Sequence, residues 1–124
     1  MSAADQRGQA TVEFVLVLPF VAVLAAALVE VGALAVNHTR LWAAAREAAR
    51  AAVVDPDPAV ARAAARAAGP PGITVEIHPG PDARTVGGDL VAEVIYEHRG
   101  RVPLFGRLFD RTLVASATMR IERP

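Results

Sequence analysis

The chain has 124 residues, and fewer than ninety of them follow its apolar amino-terminal stretch, which is enough for one small domain. It contains no cysteine, which excludes disulfide bonds, thiol catalysis and cysteine-ligated metal centres. Thirteen basic residues balance thirteen acidic ones and only 5% of residues are aromatic, so the composition does not suggest a nucleic-acid-binding surface.

The amino-terminal third is dominated by an apolar run at residues 14–36 whose one charged residue is Glu30. As a helix this run would be roughly 34 Å long, enough to cross the hydrocarbon core of a bilayer. Pro19 lies within it, and membrane helices tolerate proline. The run therefore predicts a single transmembrane helix, with the lipid bilayer as its surroundings.

Glu30 lies about two helical turns before this run ends and has two interpretations. It either meets water near the lipid headgroups or makes an intramembrane contact with a polar or arginine side chain of a partner helix. The sequence leaves both open.

A second carboxylate, Glu13, lies at the amino-terminal edge of the run, five positions after Gly8. A charge at this place is costly in hydrocarbon and requires a compensating partner. Cleavage after Gly8 would create a positively charged α-amine on Gln9, which Glu13 could neutralise on the same or a neighbouring helix. Residues 33–35 (Ala-Leu-Ala) also fit a small-x-small signal-peptidase site, which would instead release residues 36–124.

The long helix is predicted to continue beyond the bilayer and to cover residues 10–54. Leu41, Ala45, Ala48 and Ala52 recur at helical spacing and predict its buried face. Prolines at positions 56 and 58 should stop it and begin a second helix, capped by Asp57 and running from Pro58 to Ala68.

Three segments near residues 73–78, 90–97 and 112–121 alternate apolar and polar side chains. They predict a three-stranded antiparallel sheet with one apolar face on the helix. The expected fold is α+β, with a short polar segment at 1–8, a long helix at 9–54 and a small head at 55–124.

Two loops differ in character. Residues 79–89 are polar and glycine-rich, and are a candidate exposed surface. The loop at 99–111 instead carries four apolar side chains, Leu104, Phe105, Leu108 and Phe109. These residues either cap the sheet and helix or form a docking patch for a neighbouring subunit or the membrane surface.

No group of residues predicts catalysis. His38, His78 and His98 are dispersed without metal-ligand spacing, and the strand glutamates Glu76 and Glu93 would need a cleft to act as an acid–base pair. We therefore expect no catalytic, cofactor or metal site, no small-molecule substrate and no nucleic-acid partner.

The strings RGQATVEFVLVLPF, AAREAARAA and SATMRIERP resemble the TadE-like family of minor pilins and pseudopilins, most strongly over about the first fifty residues. The resemblance implies a prepilin signal cut between Gly8 and Gln9, with Glu13 as the charge-neutralising residue. It also implies assembly of a tight-adherence (Flp-type IV) pilus, with a prepilin peptidase, a membrane platform, an assembly ATPase and other pilins as partners.

Orientation is predicted differently by two rules. One arginine, Arg7, precedes the span, and three follow it, at positions 40, 46 and 50. The positive-inside rule therefore places the amino terminus outside. The resemblance implies a cytoplasmic amino terminus and an extracytoplasmic head that can enter a pilus, and we follow it. The alternative function is an uncleaved, signal-anchored binding module that recognises a ligand through residues 79–89.

Overall fold

A computed structural model describes residues 2–122. Its helices are α1 (Ala3–Val54) and α2 (Pro58–Ala68), and its strands are β1 (Thr74–His78), β2 (Asp89–His98) and β3 (Arg111–Arg120). Short 3-10 turns at Pro81–Ala83 and Gly106–Phe109 lie in the two loops between strands. The predicted α+β class is confirmed.

Helix α1 begins seven residues earlier than the sequence predicted, at Ala3 instead of Ala10. The reason is a capping box, because the Ser2 hydroxyl accepts from the Asp5 amide at 3.3 Å and the Asp5 carboxylate accepts from the Ser2 amide at 3.4 Å. The helix continues through Pro19 and ends at Val54, immediately before Asp55-Pro56.

The two halves of α1 have different surroundings. Residues 3–25 are exposed along their whole length, and one helix of the described chain is long and apolar enough to cross a membrane. Buried positions begin at Glu30 and continue through Asn37 and Leu41 to Ala52. The helix thus has a bare amino-terminal half, consistent with a single-pass membrane anchor, and a carboxy-terminal half that carries the head.

Helix α2 packs on α1 through alanines. Asp57 caps it by accepting from the Ala59 amide at 2.9 Å, as predicted. Ala61 and Ala65 are fully buried, and small side chains let the two helices approach closely. Where α2 ends, a Cβ on Gly69 would lie 2.9 Å from the Ala44 Cβ, so this approach leaves no room for a larger residue.

The sheet is an antiparallel meander in the order β1-β2-β3. Its register pairs Val75 with Val94 and Val94 with Ala115, so these three side chains form one row of the inner face. This face is buried against α1, as the alternation predicted, and it also includes Leu90 and Ala92.

The loop at residues 79–89 is attached to the end of α1. Arg84 donates from Nη1 to the carbonyl of Ala52 at 2.7 Å, where a helix end leaves unpaired carbonyls and a partial negative charge. Gly87 donates its amide to Ile121 and Gly88 accepts from Ile121. Part of this polar loop therefore serves to cap the helix and join the sheet.

Candidate functional site

The residues predicted for processing lie near the amino-terminal end of α1. Gly8, Gln9 and Glu13 are all helical and all exposed. The Gln9 side-chain amide donates to Glu13 Oε1 at 3.4 Å, so the two side chains lie one turn apart on the same face. An amine formed on residue 9 would thus lie one turn from a carboxylate.

The folded chain supplies no packing reason for a glycine at position 8. A Cβ built there has no heavy atom within 4 Å, and its φ is not in the left-handed region. Glycine in a helix interior costs about 1 kcal/mol relative to alanine. The helix therefore bears this cost without a packing benefit among the described residues, as it also does at Gly32.

Glu30 is fully buried, and its own chain covers it. Its Oε1 accepts hydrogen bonds at 2.5 Å from the backbone amides of Arg101 and Val102, in the loop between β2 and β3. This contact joins positions 71 and 72 residues apart and belongs to neither interpretation drawn from the sequence. Its other oxygen, Oε2, is buried without a hydrogen-bond partner among residues 2–122.

Two turns further along α1, Asn37 meets the end of β2. Its Nδ2 lies 3.0 Å from Nδ1 of His98, and both side chains are buried. In the tautomer whose Nδ1 lacks a proton, this nitrogen accepts from the asparagine amide. The other ring nitrogen, Nε2, is buried without a hydrogen-bond partner among residues 2–122. Together with Glu30, this pair holds one end of the sheet and the following loop against the helix.

Sequence reasoning missed these two contacts, although a signal was present. Glu30 and Asn37 are seven residues apart, and Asn37 precedes Leu41 by four, so all three share the buried face of α1. His98 likewise continues the inward alternation of β2. Extending the apolar face of α1 by two polar residues and that of β2 by one would have placed these residues inside. It would not have identified the partner of each.

The apolar loop residues divide into two pairs. Phe105 and Phe109 are half-buried, whereas Leu104 is fully exposed and Leu108 is 75% exposed. The loop thus combines partial capping with an outward apolar surface.

The remaining polar residues are dispersed. His38 accepts from the Trp42 indole at 3.0 Å on the exposed side of α1, and His78 lies 3.8 Å from Glu76. Glu76 and Glu93 are direct cross-strand neighbours. Within residues 2–122, no three histidine, aspartate or glutamate side chains come together as a metal site.

Comparison with known proteins gives one match. Residues 8–50 match the family described as TadE-like protein, which confirms the resemblance over about a third of the chain. No curated protein and no solved structure matches the chain. The matched segment contains Gly8, Gln9, Glu13, Glu30 and Asn37 and ends within the helix, before the sheet begins.

Proposed function

From the TadE-like match over residues 8–50, which indicates a Tad pilus-associated protein, we propose a membrane-anchored minor pilin or pseudopilin. In this proposal a prepilin peptidase cleaves the chain after Gly8, and the mature subunit acts with other pilins in assembling a tight-adherence pilus. The role is structural and not catalytic. The observation that carries the proposal is the matched segment itself, in which Gly8 and Glu13 border a bare apolar helix.

The open surroundings of Gly8 support a processing role. A peptidase must engage the peptide bond between residues 8 and 9, and this requires the helix to open locally. Glycine lowers the cost of opening because it is a poor helix former. It also presents no side chain to the enzyme.

Glu13 supports a role in assembly. It is exposed at the edge of the apolar run, where an uncompensated carboxylate is costly in lipid. The new amine on Gln9 of the same or a neighbouring subunit supplies the missing positive charge. Cleavage and packing are thereby coupled, since the uncleaved chain lacks that amine.

The proposed topology has a cytoplasmic amino terminus and an extracytoplasmic head. The span leads directly into the half of α1 that carries α2 and the sheet. Arg40, Arg46 and Arg50 lie on the exposed side of that half, as part of the folded head and not in a short loop beside the span. Their count therefore carries less weight for orientation than the family match.

The test is the mass of the mature chain in cells that also contain a prepilin peptidase. We expect the wild-type protein to begin at Gln9 and Gly8→Ala to retain its leader. Gly32→Ala is the matched control, because Gly32 lies in the same helix with equally open surroundings, and it should be processed normally. A wild-type chain that keeps residues 1–8 would overturn the proposal in favour of a signal anchor, and one that begins at Val36 would indicate secretion.

A further inference from the structure

The loop at residues 99–110 lies at the end of the head that faces the bare half of α1. Its backbone amides at Arg101 and Val102 bond to Glu30, which is the first fully buried residue along the helix. The 3-10 turn Gly106–Phe109 also contacts α1. No described part of the head packs further toward the amino terminus than this region, because residues 3–25 are exposed.

This position lies close to the edge that the sequence predicts for the bilayer. A helix needs about 20 residues to cross the hydrocarbon core of roughly 30 Å, and a span of this length that begins at Phe14 would end about one helical turn beyond Glu30. The loop is thus held at the depth where hydrocarbon gives way to headgroups.

The loop has a defined internal structure. Gly100 donates its amide to Asp110 at 2.8 Å, and Gly106 donates to the carbonyl of Val102 at 2.9 Å. The backbones of Gly100 and Gly106 pass so close together that a Cβ on Gly100 would overlap the Gly106 carbonyl. Its side chains are therefore presented on an ordered turn.

Two leucines point outward from this turn. Leu104 is fully exposed, and it adopts a φ of +78°, a left-handed conformation that is unfavourable for a bulky side chain. Leu108 beside it is 75% exposed. A strained residue that presents an apolar side chain to the outside is typical of a contact site.

Charge complements the leucines. Arg101 and Arg107 are exposed within the loop, and Arg99 and Arg111 are exposed at its two ends. The one acidic residue of the loop, Asp110, accepts from the Gly100 amide. The surface is therefore apolar at its tip and basic around it, a combination that suits anionic lipid headgroups over an acyl layer.

We propose that this loop docks on the anionic surface of the leaflet from which the head emerges, with Leu104 and Leu108 inserted at the boundary between headgroups and acyl chains. Two leucines offer far less than the roughly 800 Å² that a stable protein interface takes from each partner. Docking on the bilayer that surrounds the span does not require an interface of this size, because the anchor already holds the loop beside that surface. The inference rests on the membrane anchor proposed above and not on cleavage after Gly8.

The test uses the full chain in vesicles. The chain lacks cysteine, so a single cysteine can carry an environment-sensitive fluorophore at Leu104, at Leu24 in the span, or at Val86 in the loop that bonds the far end of α1. The vesicles contain phosphatidylcholine with or without phosphatidylglycerol, and a lipid with a nitroxide quencher near its headgroup for the probes at Leu104 and Val86, or along its acyl chain for the probe at Leu24. We expect quenching at Leu104→Cys and Leu24→Cys but not at Val86→Cys.

Charge and side-chain variants refine the test. Removing phosphatidylglycerol, or substituting Arg101→Gln and Arg107→Gln, should lower the ratio of docked to free loop by about fivefold per arginine. Leu104→Gly suits the positive φ, so the head should remain folded while a probe at Leu108→Cys loses its quenching.

The outcomes separate this inference from the anchor. Quenching at Leu24 with none at Leu104 overturns the docking and leaves the anchor intact, whereas no quenching at either site overturns both. Shielding of Leu104 that grows with protein density, without lipid quenching, would indicate contact between subunits and overturn the lipid assignment.

Discussion

Glu30 shows how a single side chain can join distant parts of this molecule. It lies on α1 and accepts two amides from a loop 71 and 72 residues away, in a fully buried position. Each buried donor left without an acceptor costs about 1–3 kcal/mol. The carboxylate therefore stabilises the loop mainly by satisfying its backbone.

We predict that Glu30→Ala loosens the loop without unfolding α1. The two amides lose their shared acceptor, which should cost at least about 1 kcal/mol, so trypsin cleavage after Arg101 and Arg107 in mild detergent should become at least roughly fivefold faster. Glu30→Gln keeps one oxygen acceptor, and its cleavage rate should lie between those of the wild-type chain and Glu30→Ala. Glu13→Ala is the control, since Glu13 lies outside the head, and equal cleavage rates in all variants would contradict the role of Glu30.

A second prediction concerns the buried pair of Asn37 and His98. Replacing either residue alone with leucine leaves the other without its partner and should lower the free energy of unfolding by about 1–3 kcal/mol. The double leucine variant should cost less than the sum of the two, because it leaves no polar group of the pair unsatisfied. Denaturant unfolding in detergent, followed by Trp42 fluorescence, measures this, and strict additivity would show that the contact is not energetically coupled.

At the scale of elements, the contact between α1 and α2 depends on small side chains. The buried alanines of both helices leave little space between them, since a Cβ added to Gly69 would lie 2.9 Å from the Ala44 Cβ. The strong alternation of the strands and the caps of both helices follow from local chemistry. The tightness of the helix contact, in contrast, follows from which alanines face each other.

Ala65→Leu tests this packing. Ala65 is fully buried, and an added isobutyl group should cost about 1–3 kcal/mol through overpacking. Ala63→Leu is a matched control on the same helix, because Ala63 is exposed and the change in helix propensity is the same. In detergent, Ala65→Leu should unfold at a lower temperature than Ala63→Leu. Equal midpoints would indicate that the contact between the helices accommodates a larger side chain.

At the scale of the whole molecule, α1 combines a bare half with a half that contacts α2 and all three strands. In the proposed pilin this division separates the part that packs between subunits from the part that remains at the surface. Glu13 belongs to the first part, where it is exposed and bonds to Gln9 of the same helix.

Glu13→Ala should therefore leave the monomer intact and impair assembly. We expect normal processing to a Gln9 start, unchanged head stability, and reduced recovery of partner pilins in detergent co-purification, since the amine is left unpaired. Glu76→Ala, which removes an exposed carboxylate from β1, is the control and should assemble normally. Equal recovery from both variants would argue against charge neutralisation by Glu13.

Sequence patterns sufficed for the long apolar helix, the second helix and its Asp57 cap, the three strands and their inward faces. These features depend on side-chain periodicity and on proline and capping chemistry, which act over a few neighbouring residues. Gly8, Gln9 and Glu13 could be singled out from the carboxylate at the edge of the apolar run and from the family resemblance, and their roles remain predictions. The earlier helix start at Ala3 depends on the Ser2–Asp5 capping box, in which aspartate stands where glutamate or glutamine is usual.

Only the tertiary structure decided what Glu30, Asn37 and His98 contact. Their partners lie 61 to 72 residues away, and periodicity identifies a face but not what packs on it. The same holds for Leu104, whose exposure and φ depend on how the loop closes against α1. Local chemistry therefore determined the elements of this protein, and the packing of the sheet on α1 determined which polar groups became buried and which leucines face outward.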